Sequence, residues 1–280
     1  LLSKETSILV NNWFMMYFLS VVLIGTVYPI FLDVISSQKI SVGPPFYHKL
    51  IIPFLIPFLF MMAIGPKLKW IKSQLEDKIY LISFLIISIL LAFLVLKNFN
   101  QNILINTILI SSALYLFFMT LRDFFVKKYK NISQNIAHFG FSLLILSILF
   151  NNLFASEIIT NLKVGETFEN SKTKIVFESV DQKKEKNYNA IVANFFISNL
   201  NGEEDRFSPE LRIYNQPVIA TSEADIKTTL MSDKFIVINL VQNQDFFNVR
   251  YQVKPFMLWI WLSVILISFA GIFSFLQKRS

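Results

Sequence analysis

The residue best suited to chemistry is a histidine inside a hydrophobic stretch. His138 lies in the segment Asn135–Phe141, near the start of a predicted membrane span over Ile136–Phe154. An ionisable side chain within a span is costly and suggests a functional site, and neutral imidazole is a common ligand of haem iron. Ala137 and Gly140 keep this helix narrow, so a flat macrocycle or another helix could approach closely. The alternative is an interfacial histidine bonded to a neighbouring helix or to lipid headgroups.

A second motif is the segment Gly43-Pro44-Pro45, which falls in a predicted loop over Asp33–Lys49. Glycine permits unusual backbone angles, and the two prolines fix the direction in which the chain leaves. We expect either a rigid lip over a site between helices or a plain connector. His48 follows at the predicted membrane surface, and we expect its side chain to be solvated.

Two tryptophans, Trp259 and Trp261, stand near the start of the last hydrophobic run, after Pro255. Their position fits an aromatic belt at the membrane–water interface, and stacking on a macrocycle is the alternative. Upstream, the acidic Glu223 and Asp225 are expected to be solvated, in a turn or at the N-terminus of a helix.

The composition narrows the chemistry further. The chain has no cysteine and two histidines, so a disulfide, a thiolate metal site and a thiol relay are all excluded. No phosphate-binding glycine loop or hydrolase triad is found, and no catalytic residue can be assigned. The net charge of +7 comes from basic residues at the ends of hydrophobic runs, which is the pattern of membrane topology and not of nucleic-acid binding.

The elements that must position these residues are mostly membrane helices. About 20 apolar residues are needed for a helix to cross a bilayer, and six runs approach that length. The predicted spans are Asn12–Leu32, Leu50–Gly65, Ile79–Leu96, Ile103–Leu121, Ile136–Phe154 and Phe256–Leu276. We therefore divide the chain into a five-helix region, 1–154, a soluble domain, 155–252, and a last helix, 253–280.

Basic residues predict the orientation. Eleven Lys and Arg side chains fall on one side of the predicted spans and three in the short loops of the other, and the richer side is cytoplasmic. The eleven are Lys4, Lys67, Lys69, Lys72, Lys78, Arg122, Lys127, Lys128, Lys130, Lys278 and Arg279, against Lys39, Lys49 and Lys97. The soluble domain and the 33–49 loop are then extracytoplasmic, which in a Gram-negative cell means periplasmic.

The soluble domain shows the alternating pattern of strands. Predicted strands cover Lys174–Val180, Ala190–Ser198, Phe235–Val241 and Phe246–Val253, with turn residues such as Gly165 between them. An antiparallel sandwich or a small barrel fits this pattern. The fold class is thus a polytopic α-helical membrane protein with one periplasmic all-β domain between the fifth and sixth spans.

Several short strings follow one another in a recognisable order. They are Gly25-Thr26-Val27-Tyr28-Pro29, Ile40–Phe46, Gly65-Pro66, Ala137–Gly140, Glu210–Tyr214, Thr221–Ile226 and Val253–Trp261. Together they resemble the C-terminal part of CcmF, the cytochrome c-type biogenesis family of the haem lyase complex. The resemblance extends from the first residue to the last.

The resemblance implies a function in cytochrome c maturation. Members of this family take haem from a periplasmic, CcmE-like haem chaperone and attach it to the C-x-x-C-H motif of apocytochrome c, alongside CcmH- and CcmI-like subunits. They also hold a haem b, and His138 matches the C-terminal one of its two transmembrane ligands. Haem b as cofactor, haem as substrate and a place in the bacterial inner membrane are therefore expected.

The chain departs from the family pattern in several respects. The tryptophan-rich segment, the periplasmic histidine pair and the first transmembrane histidine belong to the family's N-terminal half and are not found here. The second haem ligand would come from that half or from a separate subunit, so we expect a fragment or a split subunit and not a complete enzyme. The alternatives are half of a transporter or permease, against which the absence of mid-depth charges in the predicted spans argues, and a cofactor-free membrane assembly factor.

Overall fold

The computed structural model describes residues 3–36, 40–71, 78–99, 103–126, 132–199, 202–240 and 245–277. The chain forms two compact units. One comprises residues 1–146 and 262–280, and the other comprises residues 147–261. The first is helical, and the second contains the strands.

Six helices in the described residues are long and apolar enough to cross a membrane. They are α1 Lys4–Ser36, α2 Pro44–Ile64, α3 Lys78–Leu96, α4 Ile103–Val126, α5 Ile132–Phe154 and α6 Met257–Gln277. A short 3₁₀ turn, Gly65–Lys67, follows α2. The prediction of six helices of membrane-span length with an all-β domain between the fifth and the sixth is confirmed.

The predicted loop over residues 33–49 is too long. Helix α1 continues to Ser36 and α2 begins at Pro44, and Lys39 lies outside the described residues. Pro44 and Pro45 occupy the first two positions of α2, where a missing backbone N–H costs no helical hydrogen bond. Gly43 precedes them in an extended conformation with φ −103°, which any residue can adopt. The motif therefore begins a helix, and a role for it beside a site between helices stays a prediction.

Helix α4 is the most buried helix of its unit, because α2 and α3 both pack against it. Helix α5 contacts α4 through Phe139, whose ring lies 5.4 Å from the ring of Phe117 and 5.7 Å from that of Phe124. Gly140, one residue further, faces α6 so closely that an added Cβ atom would lie 3.2 Å from the Ser263 carbonyl oxygen. The sequence left open whether a macrocycle or another helix approaches Gly140, and the structure shows a helix there.

The β unit is a sandwich of two antiparallel sheets. Its strands are β1 Ser156–Leu162, β2 Thr167–Glu169, β3 Thr173–Lys184, β4 Tyr188–Asn199, β5 Glu204–Phe207, β6 Glu210–Tyr214, β7 Ala220–Glu223, β8 Asp225–Thr228, β9 Ser232–Leu240 and β10 Phe247–Pro255. One sheet has the order β1-β10-β9-β8, and the other has the order β2-β3-β4-β6-β7, with β5 also paired to β4. The strands thus occupy residues 156–255.

Aromatic and branched side chains from both sheets fill the space between them. Phe177 and Phe195 stack across β3 and β4 with ring centroids 4.4 Å apart, and both are fully buried with Ile236 and Val249 of the other sheet. The alternation that predicted four strands reflects this inner face, since each of the four matches β3, β4, β9 or β10.

The prediction for the acidic pair was wrong. Glu223 ends β7 and Asp225 begins β8, so both lie in strands and not in a turn or at the start of a helix. The Asp225 carboxylate accepts a hydrogen bond from the backbone N–H of Ser208 at 2.7 Å. These strands have four residues each, none of which is fully buried, so they lack the apolar alternation by which the longer strands were found.

Candidate functional site

A cavity of about 460 Å³ lies in the helical unit, with His138 in its wall. This volume is within the range of small-molecule and cofactor sites, about 300–1,000 Å³. Four helices and the 3₁₀ turn contribute to the wall, and most of the contributed side chains are apolar. The lining residues are Lys4, Ser7, Ile8, Asn11, Met15, Phe58, Met61, Met62, Gly65, Pro66, Gln134, Ala137, His138, Phe141 and Ile267.

The first turn of α1 forms one side of the cavity because it is fastened to the segment after α2. The backbone N–H of Lys4 donates to the carbonyl oxygen of Lys69 at 3.0 Å, and the Glu5 carboxylate accepts the N–H of Ile71 at 3.1 Å. Gly65 makes the close approach possible, since a Cβ atom there would lie 2.4 Å from the hydroxyl oxygen of Ser7. Any larger residue would require the Ser7 hydroxyl group or the first turn of α1 to move.

His138 is half-buried in the second turn of α5. Among the described residues no hydrogen bond to its imidazole is found, so the ring nitrogens are not used to hold the helices together. Ala137 also lines the cavity and adds no bulk beside the imidazole. Phe141, one turn further along α5, packs edge to face on Phe58 of α2 with ring centroids 6.0 Å apart. The imidazole at the cavity wall is therefore a candidate ligand.

The residues present fit a haem group. The imidazole can supply an axial nitrogen, the Phe58 and Phe141 rings offer apolar contact area, and the thioethers of Met61 and Met62 adapt to irregular shapes. The ammonium of Lys4 lies at the cavity, 5.2 Å from the centroid of the Trp70 ring, where it can pair with a carboxylate.

A buried ion pair lies next to this site. The Nζ atom of Lys67, in the 3₁₀ turn, is 2.8 Å from the Oδ2 atom of Asp123, near the end of α4, and each side chain is 7% exposed. The pair fastens the segment that carries Gly65 and Pro66 to the central helix. It also lies within electrostatic range of His138. Neither partner was singled out from the sequence, and no local pattern marks two residues 56 positions apart as neighbours.

The structure does not bring the second histidine to this cavity. His48 is exposed in the first turns of α2, 13 residues before Met61, which corresponds to about 20 Å along a helix. Gly43, Pro44 and Pro45 precede His48 and are not among the residues of the cavity wall. The predicted ligand and the predicted Gly-Pro-Pro motif are therefore separate features.

The tryptophans belong to the other unit. The indole N–H of Trp259 donates to the backbone carbonyl oxygen of Leu230 at 2.9 Å, and Trp261 is 61% exposed. The carbonyl oxygen of Pro255 accepts a 2.5 Å hydrogen bond from the Asn151 side chain at the end of α5. Trp259 is thus hydrogen-bonded to the β domain, and stacking of either tryptophan on a macrocycle stays a prediction.

A second charged cluster lies in the β domain around Lys234 of β9. Its ammonium donates to Glu203 at 2.7 Å and to Asp205 at 2.9 Å, and the bond from Lys234 lowers the pKa of Glu203. Burial raises the pKa of Asp205, but the bonds from Lys234 and Lys227 outweigh burial and the net pKa lies below its usual value. Burial also lowers the pKa of Lys234, yet the two carboxylates hold it above its ordinary value. The cluster neutralises itself, which fits a structural function.

Comparison with known proteins gives a consistent result. Residues 153–255 match the family model described as the CcmF C-terminal beta-sandwich. The cytochrome c-type biogenesis protein CcmF of Pseudomonas fluorescens is 26% identical over 99% of this chain and 44% of its own length. The CcmF protein of Escherichia coli is 23% identical over the same shares, and NrfE of Haemophilus influenzae is 24% identical over 99% of this chain and 45% of its own length.

A solved structure has the same fold. The cytochrome c haem lyase CcmF superposes with a TM-score of 0.72 at 19% identity, over 96% of this chain and 45% of that protein. The chain therefore spans less than half the length of the relatives it matches, and the cavity with His138 lies within the matched part.

Proposed function

Because the chain corresponds along its length to the C-terminal half of the CcmF family of cytochrome c-type biogenesis proteins, we propose that it serves cytochrome c maturation as part of a haem lyase. Its substrates would be haem, handed over by a periplasmic haem chaperone, and the C-x-x-C-H motif of an apocytochrome c. CcmH- and CcmI-like subunits would be further partners. The chain would act in the inner membrane with its β domain in the periplasm.

The observation that carries this proposal is the imidazole of His138 at the wall of an apolar cavity, with no hydrogen bond found to another described residue. His138 would be one axial ligand of a haem b. The second ligand would come from the N-terminal half of the protein or from a separate subunit, since His48 is far along α2 from the cavity. When bound, haem b supplies one-electron chemistry that can keep the incoming haem iron reduced.

The residues of this chain have binding and positioning tasks in that site. Phe58 and Phe141 exclude water and present their rings to the bound group, and Lys4 offers a cation for a carboxylate substituent. Gly65 keeps the first turn of α1 close enough to complete the wall. No side chain of the described residues is required to move a proton in this proposal.

The experiment replaces His138 by Ala in the complete protein and records the reduced spectrum and the content of bound haem b. We expect loss of most bound haem, with partial recovery when free imidazole is added. His48→Ala is the matched control, because it removes the other histidine without touching the cavity, and its spectrum should be unchanged. An unaltered spectrum in His138→Ala, or an equal loss in His48→Ala, would refute the ligand assignment.

A further inference from the structure

The turn between β8 and β9 lies beside the first turn of α6. Strand β9 starts at Ser232, which pairs with Pro255, the last residue of β10. Helix α6 starts two residues later at Met257. The register therefore sets residues 229–231 beside the first turn of a helix that is apolar enough to span a membrane.

The backbone of this turn is bonded to the start of α6. The N–H of Phe256 donates to the carbonyl oxygen of Met231 at 2.8 Å, and the indole of Trp259 donates to that of Leu230 at 2.9 Å. The Thr229 hydroxyl donates to the carbonyl oxygen of Ser232 at 2.8 Å and closes the turn. The turn is therefore held at a fixed position relative to the helix start.

The side chains of the turn contribute nothing to the core of the sandwich. Leu230 is 70% exposed and Met231 is 65% exposed. Exposure of two adjacent apolar side chains to water at the apex of a hairpin is unfavourable. The same side chains are favourable at the boundary between lipid headgroups and acyl chains. Trp261, on the next turn of α6, suits that boundary too.

We infer that the β8–β9 turn inserts Leu230 and Met231 into the lipid interface at the end of α6. The partner is the phospholipid of the membrane face from which the β domain projects. Because the backbone of the turn is bonded to Phe256 and Trp259, insertion would fix the tilt of the sandwich over the bilayer and not merely tether it. This inference depends on α6 spanning the membrane and is independent of haem binding.

The experiment uses single-cysteine variants of the complete protein in a background without other cysteines. Leu230→Cys and Met231→Cys are labelled with a nitroxide in phospholipid nanodiscs. Collisions of the label with oxygen, which is enriched in lipid, are compared with collisions with a water-soluble nickel complex. Val164→Cys is the matched control. Val164 is 52% exposed and follows β1, whose last residue Leu162 pairs with the first residue of β10.

The control position lies at the other end of the same sheet, because β10 extends over eight steps from Phe247 to Pro255, or roughly 26 Å at about 3.3 Å per residue. We expect oxygen to dominate at positions 230 and 231 and the nickel complex to dominate at position 164. Nickel accessibility at 230 and 231 equal to that at 164 would overturn the inference. Low accessibility to both reagents would also overturn it, since it indicates a protein partner on the turn.

Because labels at the turn could disturb folding, the thermal unfolding of each variant is recorded as well. The unlabelled protein provides a second measurement in nanodiscs that carry a nitroxide on the lipid acyl chain. Paramagnetic broadening of the Met231 methyl signal is expected, without broadening of the Val164 methyl signals. Equal or absent broadening at both positions would count against insertion.

Discussion

Removal of one partner of the Lys67–Asp123 pair should destabilise the helical unit strongly. The Nζ–Oδ2 distance is 2.8 Å, and each side chain is 7% exposed, so loss of one charge leaves the other buried. Breaking a buried pair in this way costs about 3–5 kcal/mol, whereas replacing both partners by apolar residues is often neutral or stabilising. Lys67→Met and Asp123→Leu should therefore each cost about 3–5 kcal/mol, and the double variant should cost about 1 kcal/mol or less.

The difference defines a coupling energy of several kcal/mol, well above the roughly 0.5 kcal/mol expected for independent sites. The assay is equilibrium unfolding in mixed micelles by added dodecyl sulfate, followed by far-UV circular dichroism. Lys174→Met is the matched control. Its partner Glu169 lies 3.6 Å away and the two side chains are 48% and 65% exposed, so loss of the pair should change the stability of the β domain by about 1 kcal/mol or less.

Two results would refute this reasoning. If the effects of Lys67→Met and Asp123→Leu simply add in the double variant, the two charges do not depend on each other. If either single variant loses less than about 1 kcal/mol, the site is accessible to water and behaves as a surface pair.

Two further predictions test the packing and the electrostatics of each unit. Gly140→Ala should destabilise the helical unit by about 1–3 kcal/mol, because the new methyl group would lie 2.9 Å from a side-chain carbon of α6. Gly271→Ala, with nothing within 4 Å, should instead be neutral or stabilise the unit by up to about 1 kcal/mol. Thermal unfolding of the two variants would show the difference, and equal transitions would contradict it. In the β domain the hydrogen bonds from Lys234 hold the pKa values of Glu203 and Asp205 below their ordinary values. Their contribution to stability is therefore fully present above the unfolded carboxyl pKa values and is lost as the pH falls through the lower, folded ones. Lys234→Met should flatten this acid loss, measured by hydrogen exchange in β9, and an unchanged acid profile in the variant would exclude Lys234 as its cause.

Most of the fold follows from two signals, the length of the apolar runs and the alternation of apolar residues. The six apolar runs correspond to α1–α6, and the four long alternating segments correspond to β3, β4, β9 and β10. The errors fall at element ends and in short strands. Pro44 and Pro45 suggested a loop because proline interrupts a helix interior, but at the first two helical positions the same property favours a start. None of the four residues of β7 is fully buried, and pairing with a neighbouring strand, not its own composition, makes it a strand.

His138 could be found from the sequence because its cost inside a span is a local property, independent of which helices surround it. The cavity, in contrast, depends on contacts between residues that are far apart in the sequence. Its wall requires the first turn of α1 to lie against the segment after α2, and this contact depends on the fit between Ser7 and Gly65, 58 residues apart. Gly140 illustrates the same limit. In the sequence, a glycine near the candidate ligand suggested room for a macrocycle as readily as room for a helix. The structure shows that α6 approaches Gly140, at Ser263. Ala137 lies on the side of α5 that lines the cavity. Of the two small residues, Ala137 is therefore the one that leaves room for a bound macrocycle. A small residue therefore indicates close approach, and the partner in that approach must be read from the tertiary structure.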